Sequence, residues 1–373
     1  MLWIPGPTEV RPEILAEMAQ PMVGHRGPEM TELIKRIDPH LKLAFGLWDD
    51  TRARYAVGTH SATAMMEGAL LGTGERILCI VGGAFAKRWL GIARTLGKQA
   101  VALEVEWGRA VTDEELARAL DEKGPFDAVT LVVNETSTGV HTPIATVSNV
   151  LQAFPDTLLL VDVVSYLAGA PLDFDASCVD FALAGVNKAL ALPPGITVFC
   201  ASEAYCNRAA SVERRSWYLD PLRTLKGHEG RKTPTTPSIP HYRALARQLE
   251  DITGGVTLPE GERKKRGAEA WRARFDKHER MRARTLAWAA DHGLEPLPPR
   301  ELCSPTVSCI RAGSLDVAAF VAGLKERGFE ISNGYGPLKG ETFRIGHMGD
   351  HSEEGLEELL AAADEVLGAP ARS

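Results

Sequence analysis

Between Arg54 and Cys200 the chain alternates short runs of β-branched and aliphatic residues with amphipathic stretches, and this alternation limits the fold more than any other feature. The runs are Arg54–Val57, Arg76–Val81, Ala100–Val105, Ala128–Val133, Thr157–Val161, Val179–Ala184 and Ile196–Cys200; helical patterns separate several of them, as in Glu114–Glu122 and Ile144–Ala153. Parallel neighbours need a crossover long enough to hold a helix. A series of this kind therefore predicts an α/β fold, with a mainly parallel seven-stranded sheet covered by helices on both faces. Open sheets of this type bind ligands beyond the carboxyl ends of their strands. The polar residues that fall there, Thr59 to Thr63, Asn134 to Gly139, Asp162 and Lys188, are the first candidates for chemistry.

Past the last of these runs the pattern changes. Ser211 to Pro240 is polar and rich in Pro and Thr, and an irregular stretch of that length is usually functional or interfacial. Leu258 to His292 is charged and helix-rich, with Glu262-Arg-Lys-Lys-Arg266 and Trp271-Arg-Ala-Arg274, and reads as a solvated helix face laced with salt bridges. Strand signals at Thr306–Ile310, Glu330–Ser332 and Thr342–Ile345, with helices at Val317–Arg327 and Glu353–Val366, predict a smaller α+β domain. The expected division is an amino-terminal arm over 1–20, a large domain over 21–250 and a small one over 251–373. A formal net charge of −7 argues against a nucleic-acid partner. Six cysteines without C-x-x-C spacing indicate neither a metal site nor a disulfide framework, and point to a reducing cytoplasm. Met1 to Thr8 lacks a basic segment followed by a long apolar one, and no run approaches ~18 apolar residues, so no export signal or membrane span is expected.

Lys188 follows the apolar run Phe181–Val186, and Asp162 closes the run Leu158–Val161. Most such lysines are solvated, and most such aspartates cap a turn. Together, however, they suggest pyridoxal phosphate chemistry. A partly desolvated lysine has a lowered pKa, which frees its amine to add to an aldehyde. A strand-end aspartate can keep a pyridine nitrogen protonated, and the ring then withdraws electrons from a substrate carbanion. His60-Ser-Ala-Thr63 enters an apolar helix, whose free N–H groups and dipole suit a phosphate, although a simple Ser/Thr cap has the same pattern. Phe85 just after a strand can stack on a flat ring or fill the core. Arg344 within an apolar strand needs an anion, either a structural carboxylate or a substrate one. Gly24-His25-Arg26 reads equally as an anion site or a loop anchor.

In order and spacing these pieces resemble the class V group of fold-type I pyridoxal phosphate enzymes, in particular the alanine–glyoxylate and serine–pyruvate aminotransferases. The resemblance runs from Pro5-Gly-Pro-Thr8 and Gly24-His-Arg26 through Ser61-Ala-Thr63 with Glu67, and Gly83-Ala-Phe85-Ala-Lys-Arg88. It continues through Glu135-Thr-Ser-Thr-Gly139, Asp162-Val-Val-Ser165 and Asn187-Lys188 with Pro193-Pro-Gly195, to Arg344-Ile-Gly346. It implies that Lys188 forms the Schiff base and then moves the substrate proton, that Asp162 pairs with the pyridine nitrogen, and that Phe85 stacks on the ring. It also implies that Ser61, Ala62 through its N–H, Thr63 and Asn187 surround the phosphate, that Thr136 approaches the ring hydroxyl, and that Arg344 clamps the α-carboxylate. Such enzymes are homodimers with shared active sites, so Thr233 and Thr236 are expected at the neighbouring subunit's phosphate, and Gly24, His25 and Arg26 near substrate.

The expected reaction is ping-pong transfer of an amino group from alanine or serine to glyoxylate or pyruvate. Four positions depart from the family pattern. Ala62 stands for a common glycine, Asn187 for a glutamine and Ala86 for a glycine, and the aromatic often near Thr233 is missing. Phosphoserine aminotransferase is the main alternative, with His25-Arg26 on a substrate phosphate. A cysteine desulfurase wants a histidine before the lysine, where Asn187 stands, and a mobile cysteine, whereas Cys303 and Cys309 lie in strand-like runs. A non-catalytic subunit would have no need of Lys188, Asp162 and Arg344 together.

Overall fold

The computed structural model describes residues 1–213 and 216–368. Strands β1 (Arg54–Gly58), β2 (Arg76–Val81), β3 (Gln99–Glu104) and β4 (Ala128–Val132) precede a short hairpin of β5 (Asn134–Glu135) and β6 (Val140–His141). Then come β7 (Leu158–Asp162), β8 (Phe181–Gly185) and β9 (Thr197–Ala201). All except the hairpin strands form one seven-stranded sheet in the order β1-β9-β8-β7-β4-β2-β3. Strand β9 pairs antiparallel with β1 and β8, and the other pairs are parallel. Each of these seven strands lies within two residues of its predicted run.

Strands β4, β7, β8 and β9 are buried from end to end, as a sheet covered on both faces requires. Their side chains divide by the two-residue period. Val129, Leu131, Leu159 and Val161 pack with Leu33, Ile37, Leu245 and Leu249 of the helices Pro28–Phe45 and Ile239–Thr253. Ala128, Val132, Leu158 and Leu160 pack on the other face with Met65, Trp89 and Tyr205, from the helices Ala62–Leu71, Ala84–Thr95 and Glu203–Ser211.

A second, antiparallel sheet places β12 (Thr342–Gly346) between β10 (Val307–Arg311) and β11 (Ser332–Asn333). Its core joins Phe343 and Ile345 to Trp288, Phe320, Leu356 and Leu359. Trp3 is buried in the same cluster: its N–H donates to Glu330 O at 2.8 Å, and its carbonyl accepts from Gly346 N at 2.7 Å. The amino terminus is therefore fastened to the second sheet before it crosses to the first.

The structure corrects two expectations. The segment read as irregular contains the helix Pro221–Glu229, and its start was legible as Asp220-Pro221: Asp220 accepts from Leu222 N at 2.9 Å, with proline at the first helical position. The helix Gly267–Asp291 does carry ion pairs on its outer face, such as Arg280–Glu353 at 2.8 Å and Arg284–Glu357 at 2.6 Å, but Arg274, Lys277 and His278 are buried. Arg274 donates to Asp350 at 2.9 Å and to the carbonyls of Ala168 and Ala189 at 3.1 and 2.7 Å. Asp350 also accepts from Arg11 at 2.6 Å and Gln248 at 2.9 Å. Among the described residues no helix is long and apolar enough to cross a membrane, and no cluster of three or more His, Cys, Asp or Glu could hold a metal ion.

Burial pushes the Asp350 carboxyl up, but Arg274, Arg11 and Lys277 outweigh it and hold its pKa at about 2, below the ordinary 3.8. Its ionised form thus contributes stability that is full above pH 3.8 and is lost as the pH falls toward about 2. Asp350→Ala leaves the Arg274 charge buried without its anion, and should cost about 3–5 kcal/mol at neutral pH by denaturant unfolding. Asp350→Asn should remove the Asp350 contribution to the acid loss of stability. An unchanged denaturation midpoint in Asp350→Ala would show that the network is dispensable.

Candidate active site

A cavity of about 220 Å³ opens at the carboxyl ends of the central strands, between the Ser61 loop, Phe85, Asp162 and Lys188. At one end the chain leaves β1 through Thr59 and His60, and Ser61 caps the helix Ala62–Leu71, its Oγ accepting from Ala64 N at 3.4 Å. The first N–H groups of that helix have no partners within it, and they lie at the positive end of its dipole. Arg88 adds a full charge beside them. It donates to Thr63 Oγ1 at 3.0 Å, and its guanidinium lies 4.8 Å from the centre of the Phe85 ring. Asn187 completes this part of the wall.

Phe85 stands in the first turn of the helix Ala84–Thr95, where a buried carboxylate fixes it. Glu135 accepts from the N–H groups of Phe85 and Ala86, both at 3.0 Å, and from Ser137 Oγ at 2.6 Å. Burial pushes the Glu135 carboxyl up, against these hydrogen bonds. The approach needs glycine at position 83, because a Cβ there would lie 2.3 Å from Glu135 Cγ.

Asp162 ends β7 and accepts from Val164 N at 2.8 Å. Burial raises its pKa to about 7; Glu135 adds to the rise, and Lys188 and Arg88 oppose it. Lys188 follows β8 with its Nζ 5.7 Å from the Phe85 ring centre, donating to the carbonyl of Pro5. Burial lowers its pKa to about 8 despite the pull of Asp162. The strap Pro5–Thr8 closes over it: Thr8 Oγ1 donates to Lys188 O at 3.0 Å, and Thr8 N to Asn187 O at 3.2 Å.

Arg344 on β12 stands behind Thr136, which lines the cavity. Its Nε and Nη2 donate to Asn333 O at 3.1 and 2.9 Å, and its Nη1 donates to Thr136 O at 3.1 Å. Among the described residues it forms no ion pair, so the structural salt bridge weighed for it is not there. Burial lowers its pKa. A buried guanidinium held only by carbonyls still favours an anion.

Ser61, Ala62, Thr63, Phe85, Thr136, Asp162, Asn187 and Lys188 therefore meet at one cavity, and Arg344 reaches it through Thr136. Other candidates lie elsewhere. Gly24, His25 and Arg26 sit on a partly exposed turn ahead of the helix Pro28–Phe45, outside this cavity. Thr233 lines a separate small cleft with His60 and Tyr218, its Oγ1 buried without a hydrogen bond, and Thr236 is exposed. Cys303 and Cys309 are buried, and burial pushes both thiols up to about 11. Residue-by-residue reading gave no role to Arg88, Glu135, Pro5 or Gly6. The glycines at 6 and 83 were the available signal, since each marks a close approach.

A family model described as aminotransferase class-V matches residues 18–247. The chain is 33% identical to an uncharacterized aminotransferase of Methanocaldococcus jannaschii, over 98% of this chain and 92% of that protein. It is 29% identical to the serine–glyoxylate aminotransferase of Methylorubrum extorquens, over 98% and 90%. The crystal structure of an alanine–glyoxylate aminotransferase from Nostoc sp. superposes with a TM-score of 0.87 at 28% identity, covering 98% of this chain and 94% of that one.

Gly6 has φ +115°, and a Cβ there would lie 2.4 to 2.8 Å from the last three atoms of Lys188. Gly6→Ala must therefore move the amine or the strap. Trapping of a small aldehyde on Lys188 by borohydride, read by peptide mass, should slow by roughly a hundredfold with the circular dichroism unchanged. Wild-type labelling in Gly6→Ala would mean that the strap does not position the amine.

Proposed function

The chain belongs to the class V aminotransferase family, and from that premise we propose that it moves the amino group of alanine or serine to glyoxylate or pyruvate, with pyridoxal 5′-phosphate as cofactor. The fold family is pyridoxal-phosphate dependent, and its named relatives act on amino and oxo acids. One observation carries the reading: a half-buried amine with a pKa of about 8 and a buried carboxyl at about 7 share a cavity beside an arginine that, among the described residues, pairs with no anion.

The donor set fits the cofactor. The capped helix start with Ser61, Ala62 and Thr63, together with Arg88 and Asn187, would take the phosphate, and Phe85 would flank the ring. Thr136 would lie beside the ring hydroxyl. A cationic N–H set against Asp162 would restore its charge, so the carboxyl and the pyridinium favour each other. When bound, the cofactor supplies a carbonyl for amine capture and a sink for electrons released at the α-carbon. Lys188, as the neutral amine, would hold the cofactor and, when free of it, would carry the proton from the substrate's α-carbon. Arg344 turns its guanidinium to the substrate carboxylate, which gives both half-reactions one anchor. The cavity of about 220 Å³ is the space that the cofactor itself would fill.

The proposal extends to a cytoplasmic homodimer. Thr233, which shares a cleft with the exposed Tyr218, and the exposed Thr236 lie outside their own chain's cavity and would reach the partner's phosphate, and Gly24, His25 and Arg26 the partner's substrate. All six cysteines are free, which suits a reducing compartment. The proposed division keeps an arm over 1–20, a large domain over 21–250 and a small one over 251–373, although Ile14 and Trp271 pack in the core of the first sheet and Trp3 in that of the second.

The test is a half-reaction titration in which alanine, serine, aspartate and phosphoserine are added separately while the cofactor absorbance is followed. Conversion to the amine form by alanine or serine is expected; a response to phosphoserine alone would make the phosphoserine alternative correct. Lys188→Ala should abolish conversion. Arg344→Ala should weaken amino acids by ~2–5 kcal/mol and spare amines that lack an α-carboxylate; equal losses for both would remove that role. Capture of cofactor by the free chain should accelerate as the pH rises through about 8 and then level off, whereas an ordinary lysine titrates near 10.5.

A further inference from the structure

We propose that Tyr335 is a specificity-determining lid on the substrate side of the active site, admitting amino acids with short side chains and excluding branched and aromatic ones. The inference rests on the transamination reading and deepens it. The Tyr335 ring centre lies 6.2 Å from that of Phe85, and the Arg344 guanidinium lies 5.6 Å from the Tyr335 ring. Lys188 Nζ is over the same Phe85 ring, so a molecule with its carboxylate on Arg344 and its amine toward Lys188 lies against Tyr335. With carboxylate and amine fixed, only the side chain of the substrate is free to meet that ring.

The backbone beneath Tyr335 is held in place. Gly334 N donates to Thr342 O at 2.7 Å, Leu338 N donates to Tyr335 O at 3.1 Å, and the Asn333 carbonyl accepts two of the three Arg344 bonds. A Cβ at Gly334 would lie 1.9 Å from Leu338 O, and Gly336 has φ +54°. The two glycines thus permit a tight turn that projects the one bulky side chain between them. That turn is tied to the strand that carries Arg344, so the distance between carboxylate anchor and lid is set by hydrogen bonds. The side chain itself is 41% exposed, and among the described residues its hydroxyl has no partner. It is accordingly free to rotate and, as a phenol, to bond a short polar side chain such as a hydroxymethyl group.

The test uses the cofactor-loaded enzyme and its Tyr335→Ala and Tyr335→Phe variants, with half-reaction kcat/KM measured for alanine, serine, 2-aminobutyrate, leucine and phenylalanine. Tyr335→Ala should raise the leucine-to-alanine ratio by ~10-fold or more, because a removed ring opens room for several methylenes. Tyr335→Phe should restore the wild-type leucine-to-alanine ratio and lower the serine-to-alanine ratio, which a merely structural role would not do. Cofactor absorbance and circular dichroism report folding in each variant. Wild-type turnover with an unchanged leucine-to-alanine ratio in Tyr335→Ala overturns the lid alone. A wild type inert toward every amino acid overturns the transamination reading, and the lid with it.

Discussion

Lys188 and Asp162 face one cavity with Arg88, and Glu135 and Arg344 stand at its edges, in a space where little water can solvate them. Removing a charge from water costs more than one imperfect neighbour returns. For that reason burial wins on both sides of the central pair, lowering the lysine and raising the aspartate although they attract each other. On the proposed reading, such a cavity would take a ligand whose charges run in the opposite order: an anion at the capped helix beside Arg88, a proton donor on Asp162, a carbonyl carbon at Lys188 and a carboxylate at Arg344.

That arrangement depends on backbone held to tight tolerances. Glu135 is a side chain acting as a helix cap, and it places Phe85 while presenting no exposed charge to the cavity. The strap at Pro5–Gly6 leaves the Lys188 stem one narrow path, and the strap is fixed at both ends. Trp3 is bonded to the second sheet on one side of it, and on the other Arg11 reaches Asp350 and Asp251 at 2.6 and 2.8 Å. The buried cluster around Asp350 is far from inert packing: it ties the strap to the long helix through Arg274 and to the first core through Gln248.

Much of this was legible in the sequence, for identifiable reasons. A parallel sheet buried on both faces writes its strands as apolar runs, so all seven appeared with small errors at their ends. Lys188, Asp162 and the Ser61 loop were found because ligands gather at strand ends. Arg344 was found because a cation inside an apolar strand demands an explanation. The helix Pro221–Glu229 was passed over because neighbouring Thr and Pro residues dominated the composition, although Asp220-Pro221 signalled its start. Burial of Arg274 and Lys277 was not legible. Their helix has charge on every side, and which side meets Asp350 depends on residues some seventy positions away in sequence. Tyr335 was invisible for a similar reason, since its meaning comes from standing between Phe85 and Arg344.

The two sheets meet at the site through a very short piece of chain. Gly346, two residues after Arg344, donates to Trp3 O, and a Cβ there would lie 2.2 Å from Ile4 O; the next carbonyl along, that of Pro5, holds Lys188. The strand that carries Arg344 and the segment that leads into the strap over Lys188 are thus in direct contact. Arg344 lies two residues from the Gly346 contact on β12, and Trp3 lies two residues ahead of the strap. On the proposed reading, a substrate α-carbon between guanidinium and amine would be placed by this set of backbone hydrogen bonds. The precision needed for proton transfer at that carbon can come from this frame, and variation in the substrate's side chain is left to the one exposed ring that the frame supports.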